Sequence, residues 1–172
     1  MKNIAFIDGQ NLHLGTKCDE VPWSIDYKKL RAYLKEKYHA DEAYYFPGFL
    51  KEQNQGLYTN LQKAGFIVIF KNHSEMHASE KKGNADTLMV FHMLKTLHEE
   101  YAVFEKILLV TGDGDFFETV EYLIEKNKFL KVLHPAQKNA SSLYRGLGSE
   151  YYDSLSKNDT RKKIELQKEK GS

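Results

Sequence analysis

The sequence predicts an α/β fold: a three-layer sandwich in which helices cover both faces of a central, mostly parallel sheet of five strands. Short runs of β-branched and aromatic residues alternate with longer stretches of helical period, which is the pattern of βαβ units. Acidic residues lie at or shortly after the ends of two of the most apolar runs, where strands would end. The 172 residues, 41% of them hydrophobic, suffice for one sizeable core and hardly for two.

Five runs are predicted to be strands because each is short and rich in β-branched or aromatic residues. They are Lys2 to Ile7, Glu42 to Phe46, Phe66 to Phe70, Lys106 to Val110, and Phe129 to His134. The stretches between them carry the helical period, which favours parallel pairing of the strands.

Four helices are predicted from apolar residues that recur at helical spacing. Asp26 is placed to cap the first helix, and Gly65 to end the second. The third is apolar around most of its circumference, which predicts burial on most sides. The predicted extents are 27 to 38, Glu52 to Lys63, from Asn84 or Ala85 onward, and Phe116 to Lys126.

The C-terminal part of the chain is less regular. A short helix is predicted over Ala140 to Arg145 and a closing helical turn over Glu150 to Leu155. Beyond Ser156 the sequence becomes polar, with only Ile164 and Leu166 apolar. We therefore expect one domain over residues 1–156 and a flexible or frayed helical tail over residues 157–172.

Composition limits the classes of protein that the chain can belong to. A net charge of +1 argues against a uniformly basic surface, so any contact with nucleic acid must come from a local patch. Cys18 is the single cysteine, which rules out an internal disulfide framework and favours a reducing compartment. No signal segment precedes the first strand and no run is long enough to span a bilayer, so a cytoplasmic location is the default expectation.

Acidic residues follow two predicted strands at the point where each ends. Asp8 follows the first strand, and Asp113 and Asp115 follow the fourth. Because the carboxyl ends of parallel strands lie along one edge of the sheet, we expect these side chains to meet there. Gathered carboxylates repel one another unless a cation or shared protons hold them. Together with Asp86, in the first turn of the third helix, they predict a site for a hard divalent cation, Mg²⁺ or Mn²⁺.

Each aspartate also has a structural interpretation when it is taken singly. Asp86 and Asp115 lie where helix caps lie, and Asp8 and Asp113 adjoin glycines in the manner of tight turns. Their predicted convergence favours a shared site over four separate structural roles.

Three segments together resemble the successive motifs of a known family. They are Ile7-Asp8-Gly9-Gln10-Asn11, Lys82-Gly83-Asn84-Ala85-Asp86 and Thr111-Gly112-Asp113-Gly114-Asp115-Phe116. In this order they resemble the motifs of the NYN domain, a branch of the PIN-like nuclease superfamily, and the resemblance runs from about Met1 to Leu155. It implies a central parallel sheet between helices, and a metal-dependent ribonuclease or an RNA-binding relative of one.

The resemblance also assigns residues to roles. Carried over by position, it places Asp8, Asp86, Asp113 and Asp115 at the acidic metal-site positions and Asn11 at that of their polar partner. The chain departs from the family pattern at two positions that are often acidic, where it has His92 and Ser149. In an apolar helix, His92 is better explained as an interior histidine than as a ligand.

Phosphodiester hydrolysis needs an activated water, a clamp on the scissile phosphate and neutralisation of negative charge, and a divalent metal supplies all three. This chemistry is expected of the four aspartates as catalytic metal ligands, with a metal-activated water that attacks in line. The resemblance implies that the substrate is RNA, single-stranded or structured, and that the protein is a metal-dependent ribonuclease. A homodimer is expected from the resemblance alone, and a membrane partner is not expected.

Substrate-binding candidates lie on the loops around the same edge. Asn11 would orient a water or a phosphate, and Thr111 lies at the end of the fourth strand. Lys82 would meet a phosphate oxygen or else carry a solvated loop charge, and Gly83 would let the backbone come close. The wider set of candidate phosphate contacts comprises Lys51, Lys71, Lys81, Lys82 and Arg145.

Two other classes of function remain open. A phosphatase of the haloacid dehalogenase type also combines a strand-end Asp and a strand-end Thr such as Thr111, but it needs a second Asp where this chain has Gln10. The other alternative is a catalytically inactive NYN module that binds RNA or a protein partner, and the departures at His92 and Ser149 keep it open.

Overall fold

The computed structural model describes residues 2–48, 51–71, 85–100, 102–136, 138 and 140–167. Its strands are β1 Lys2–Asp8, β2 Ala40–Phe46, β3 Ile67–Val68, β4 Phe104–Val110, β5 Phe129–His134 and β6 Tyr152–Ser154. All pair in parallel, in the order β3-β2-β1-β4-β5-β6. The predicted three-layer α/β sandwich is confirmed, with six strands in the described residues instead of five.

The helices of the described residues are α1 Gly9–Lys17, α2 Tyr27–Tyr38, α3 Gln55–Ala64, α4 Ala85–Glu99, α5 Phe117–Glu125 and α6 Asn158–Ile164. The predicted cap at the start of α2 and the predicted end of α3 are both confirmed. The Asp26 carboxylate accepts hydrogen bonds from two backbone N–H groups of the first turn of α2, at 3.0 and 3.1 Å. Gly65 ends α3 with a φ of 94°, a left-handed conformation that suits glycine.

Short 3-10 segments complete the fold, and several of them lie where the sequence predicted α-helix. They lie at Glu52–Asn54, Gly114–Phe116, Ser142–Leu147 and Ser149–Tyr151. The second and fourth predicted helices therefore begin with a 3-10 turn, and the short helix predicted near residue 140 is itself a 3-10 segment.

The sheet separates two apolar cores. Side chains alternate along β1, so Ala5 and Ile7 face one layer of helices while Ile4 and Phe6 face the other. The first core packs against α2, α3 and α6, and the second against α4 and α5. Burial on both faces explains why β1 and β4 are continuous apolar runs rather than alternating ones.

Helix α1 was not predicted, because its sequence contains two glycines and few apolar residues. The structure shows that both glycines allow close packing. A Cβ atom on Gly15 would lie 2.5 Å from the Cβ atom of Pro135, and one on Gly9 would lie 2.4 Å from the Tyr45 ring. Close approach of the backbone thus takes the place of a regular apolar stripe in holding α1 to the sheet.

The C-terminal part of the chain differs from expectation at two places. The turn predicted over Glu150 to Leu155 contains β6, which pairs in parallel with β5. The expected frayed tail includes α6, which packs against α2 and buries Ile164 completely. The Thr160 hydroxyl lies 3.3 Å from Tyr33 Oη in the same contact. One buried apolar side chain among charged residues gives no periodic signal, so the sequence pattern indicated a tail.

Among the described residues, no helix combines the length and the apolar character needed to cross a bilayer.

Candidate active site

The candidate site lies where the sheet reverses its winding direction. From β1 the chain adds β2 and β3 on one side, and it then returns to add β4, β5 and β6 on the other. Strands β1 and β4 are neighbours, with Ile7 opposite Val110. In open α/β sheets a crevice forms outside the carboxyl ends of two such strands, and ligands bind there.

Three of the four predicted aspartates come together in this crevice. Carboxylate oxygens of Asp86, Asp113 and Asp115 lie within 4.8 Å of one another. Asp86 belongs to the first turn of α4, whereas Asp113 and Asp115 belong to the turn between β4 and α5. Asp86 and Asp113 are partly buried and Asp115 is exposed, so the group faces solvent on one side.

Asp8 is more buried than the other three aspartates and accepts hydrogen bonds from two segments of the chain. One of its carboxylate oxygens accepts the backbone N–H of Asn11 at 2.9 Å, which caps α1, and the other accepts the Thr111 hydroxyl at 3.0 Å. Burial raises the pKa of Asp8 to about 6; these two hydrogen bonds oppose the rise, and the charges of Asp86 and Asp113 add to it. Asp8 is therefore electrostatically part of the acidic group.

Two of the predicted substrate-binding residues prove to connect the strand ends. The side-chain oxygen of Asn11 accepts the backbone N–H of Gly112 at 2.6 Å. The Thr111 hydroxyl accepts the backbone N–H of Asp113 at 3.1 Å while donating to Asp8. Thr111 is 0% exposed, and its hydroxyl joins the carboxylate of Asp8 to the backbone of Asp113. Asn11 is partly exposed, and its amide N–H₂ donates to none of the described residues.

The other two predicted substrate-binding residues, Lys82 and Gly83, lie outside the described residues, as does the preceding Lys81 of the wider set. Their roles remain predictions from the sequence.

Two residues that sequence reasoning did not single out for the site support the turn after β4. Tyr144 is fully buried and donates its hydroxyl to the backbone oxygen of Asp113 at 2.5 Å. Burial, together with the charges of Asp113, Asp115 and Asp8, raises the pKa of Tyr144 well above its usual range, so the hydroxyl stays a donor. His134 Nδ1 lies 3.1 Å from the backbone oxygen of Thr111. Because His134 ends β5, the strand-end rule that identified Asp8 and Asp113 applies to it too.

The two positions that depart from the family pattern take no part in the acidic group. His92 is partly buried, and its ring centroid lies 5.5 Å from that of Phe46 and 5.8 Å from that of Phe91. Burial, with a smaller effect from Lys95, lowers the pKa of His92. It is thus a packed, neutral side chain, as the sequence suggested, and Ser149 is exposed.

The donor set suits a hard cation. All of its members offer anionic oxygen, the ligand type that Mg²⁺ and Mn²⁺ prefer. In the part of the chain that the structure describes, neither Asp113 nor Asp115 forms an ion pair with a lysine or arginine. Burial is the main cause of the raised pKa of the adjacent Asp8, and repulsion from the negative charges of Asp86 and Asp113 adds to it. A bound divalent cation would relieve that repulsion.

A parallel α/β sandwich with clustered aspartates at its switch point is consistent with the PIN-like superfamily. The NYN domain model matches residues 3–154, and the chain belongs to the NYN domain family, whose members are generally nucleases that bind RNA.

The chain is also similar to individual proteins. The chain is 27% identical over 137 residues to the low amplitude and bright protein LabA of Synechococcus elongatus, covering 74% of this chain and 70% of that protein. Its fold is similar to the crystal structure of a protein of unknown function from Vibrio parahaemolyticus, with a TM-score of 0.72 over 96% of both chains and 17% identity.

Proposed function

We propose that this protein is a metal-dependent ribonuclease that hydrolyses RNA phosphodiester bonds. The observation that carries the proposal is the convergence of three carboxylates, from two separate segments of the chain, at the switch point of a sheet in a family of nucleases. Asp86, Asp113 and Asp115 would hold Mg²⁺ or Mn²⁺, and Asp8 would add a fourth negative charge beside them.

When bound, a divalent cation would neutralise charge on the scissile phosphate and lower the pKa of the attacking water. The chain's own residues supply the geometry. Two hydrogen bonds join the start of α1 to the turn after β4, from the Thr111 hydroxyl to Asp8 and from the Gly112 N–H to Asn11. Two more hold each segment in shape, from the Asn11 N–H to Asp8 and from the Asp113 N–H to Thr111. Tyr144 fixes the backbone of Asp113 from the other side. A ligand set held this rigidly needs little reorganisation when substrate binds.

The test is cleavage of a labelled single-stranded RNA by the purified protein in Mg²⁺, in Mn²⁺ and in EDTA. We expect cleavage in either metal and none in EDTA. Asp113→Asn should lose more than ~100-fold in rate, because even residues that only support metal ligands contribute 10–100-fold. The fold should survive, since an asparagine oxygen can still accept the N–H of Asp115, which Asp113 accepts at 3.0 Å.

Asp159→Asn provides the matched control, because Asp159 is an exposed aspartate on α6 and lies outside the acidic group. Cleavage in EDTA, or cleavage by Asp113→Asn at the rate of this control, would contradict the proposal. RNA binding that persists in EDTA with no cleavage under any condition would favour the catalytically inactive RNA-binding module.

A further inference from the structure

A second concave site lies beside the acidic group, at the carboxyl ends of β5 and β6. It is a cavity of about 510 Å³ bounded by His134 of β5, by β6, and by the segment from Ala140 to Ser149. Small-molecule sites have volumes of ~300–1,000 Å³, so the cavity has room for one nucleotide. None of the four aspartates lines it.

Three hydrogen bonds tie the wall of this cavity to the turn that carries Asp113. The backbone N–H of Ser141 donates to the oxygen of Gly112 at 2.9 Å. His134 Nδ1 contacts the oxygen of Thr111, and Tyr144 Oη donates to that of Asp113. The cavity and the acidic site therefore share one stretch of backbone, and a nucleic-acid strand bound at the aspartates would continue beside the cavity.

His134 offers this cavity a hydrogen-bond acceptor. A carbonyl oxygen only accepts, so Nδ1 must carry the proton in its 3.1 Å contact with Thr111. Burial, the largest effect, and the charge of Arg145 lower the pKa of the imidazole, which keeps the ring neutral and Nε2 unprotonated. Within the described part of the chain, Nε2 makes no hydrogen bond.

The cavity also offers positive charge. Arg145 and Lys157 line it, and Asp153 is its one acidic lining residue among those described. Asp153 is already compensated, because it lies 2.6 Å from Lys157 Nζ and 3.7 Å from Lys37 Nζ. Arg145 is exposed and forms no ion pair with any described residue. Its guanidinium therefore remains available to a phosphate, which it can contact through two N–H groups.

We propose that this cavity binds the ribonucleotide that flanks the scissile phosphodiester, with Arg145 contacting a phosphate and His134 Nε2 accepting a hydrogen bond from the ribose 2′-hydroxyl. The 2′-hydroxyl is the donor that DNA lacks, so this contact favours RNA over DNA at one position of the substrate. The inference rests on the proposed function, since it takes the acidic group as the place of cleavage.

The test measures binding in EDTA, so that it does not depend on catalysis. Fluorescence anisotropy would compare a labelled RNA, the same sequence as DNA, and the RNA carrying a single 2′-deoxy nucleotide at each position in turn. For the wild type we expect one position at which the deoxy substitution weakens binding about 5-fold, which is the effect of one hydrogen bond. A small loss spread evenly over all positions would overturn the proposal.

His134→Asn then identifies the protein partner of that hydroxyl. The asparagine amide can keep the donor to Thr111 but has no atom at the position of Nε2. RNA affinity should fall about 5-fold with no change for DNA, and the sensitive deoxy position should disappear. A variant that folds, by its melting temperature, and keeps the wild-type ratio of RNA to DNA affinity would overturn the proposal. If it does not fold, the deoxy series on the wild type decides alone.

Arg145→Gln tests the phosphate contact, with Lys106→Gln as its control. Lys106 lies near the amino end of β4, away from the carboxyl strand ends that form the cavity, and its substitution also removes one positive charge. Arg145→Gln should weaken RNA and DNA binding alike and reduce the slope of log Kd against log salt concentration by about 1, whereas Lys106→Gln should change neither. Equal behaviour of the two variants would overturn this contact.

These experiments distinguish failure of the cavity proposal from failure of the proposed ribonuclease activity. If the protein cleaves RNA with metal but His134→Asn keeps the wild-type preference for RNA over DNA, only the proposal for the cavity is refuted. The expected binding results without any cleavage would support the cavity and refute the ribonuclease.

Discussion

The buried Asp8 carboxyl makes the metal-free protein less stable as the pH rises. Its pKa is about 6 in the fold against 3.8 for an unperturbed Asp, mainly because of burial. Between those values the folded state binds more protons than the unfolded state, so the free energy of unfolding falls with rising pH. At pH 7.5 the full loss of unfolding free energy is present and amounts to about 3 kcal/mol at most; the loss vanishes as the pH falls below 3.8.

Asp8→Asn should therefore stabilise the metal-free protein at pH 7.5, by up to about 3 kcal/mol, and the gain should shrink toward pH 4. The amide oxygen can still accept the N–H of Asn11, so the cap of α1 is retained. Urea denaturation in EDTA at pH 7.5 and 4.5 measures both quantities, with Asp159→Asn as the reference. A gain of equal size at both pH values would show that burial of charge is not its cause.

At the scale of single elements, α1 packs closely against the sheet because Gly9 has no side chain. A Cβ atom on Gly9 would lie 2.4 Å from a Tyr45 ring carbon and 2.9 Å from the backbone oxygen of Phe46. Because that oxygen belongs to the sheet, the helix itself must move. We expect Gly9→Ala to lower the free energy of unfolding by about 1–3 kcal/mol, and to lower RNA cleavage too, since α1 begins at Asp8.

Gly56→Ala is the matched control for α1. Gly56 lies in α3, and a Cβ atom there would have no heavy atom within 4 Å. Alanine is the better helix former, so this variant should gain about 0.5–1 kcal/mol of stability with unchanged cleavage. Thermal denaturation and the RNA cleavage assay compare the two variants. Equal stability changes would show that close packing does not explain the glycine at position 9.

The same elements show how far the sequence could predict the site. Asp8 and Asp113 were found because strand ends are visible as the ends of apolar runs, and Asp86 because it opens a strongly apolar helix. The roles of Thr111 and Tyr144 were not found, because they depend on hydrogen bonds across segments that lie far apart in the chain.

At the scale of the whole molecule, the site exists because β1 and β4 are neighbours. Both are continuous apolar runs buried on two faces, so their sequences do not encode which strand pairs with which. The parallel βαβ pattern predicts one shared edge, and only the strand order places Asp8 beside Thr111 and Asp113. Sequence reasoning could therefore predict a common edge, but not the hydrogen bonds across it.

The C-terminal helix makes the folded unit longer than the match to the family, which ends at residue 154. Ile164 is 0% exposed in the core shared with α2, whereas Leu166, two residues later, is 53% exposed. The backbone N–H of Asp26, the cap of α2, donates to the oxygen of Ile164 at 2.9 Å, so α6 is bonded to the start of α2. Removing the Ile164 side chain should therefore weaken the whole fold and not α6 alone.

We expect Ile164→Ala to lower the free energy of unfolding by about 2–4 kcal/mol in a single cooperative transition, the usual cost of a buried isoleucine. Leu166→Ala should change it by less than about 0.5 kcal/mol, because most of that side chain is already in water. Urea denaturation followed by circular dichroism measures both variants. If both lose little stability, α6 is peripheral and the domain ends before it. A large loss confined to Ile164→Ala would place α6 within the cooperative unit that holds the aspartates in position.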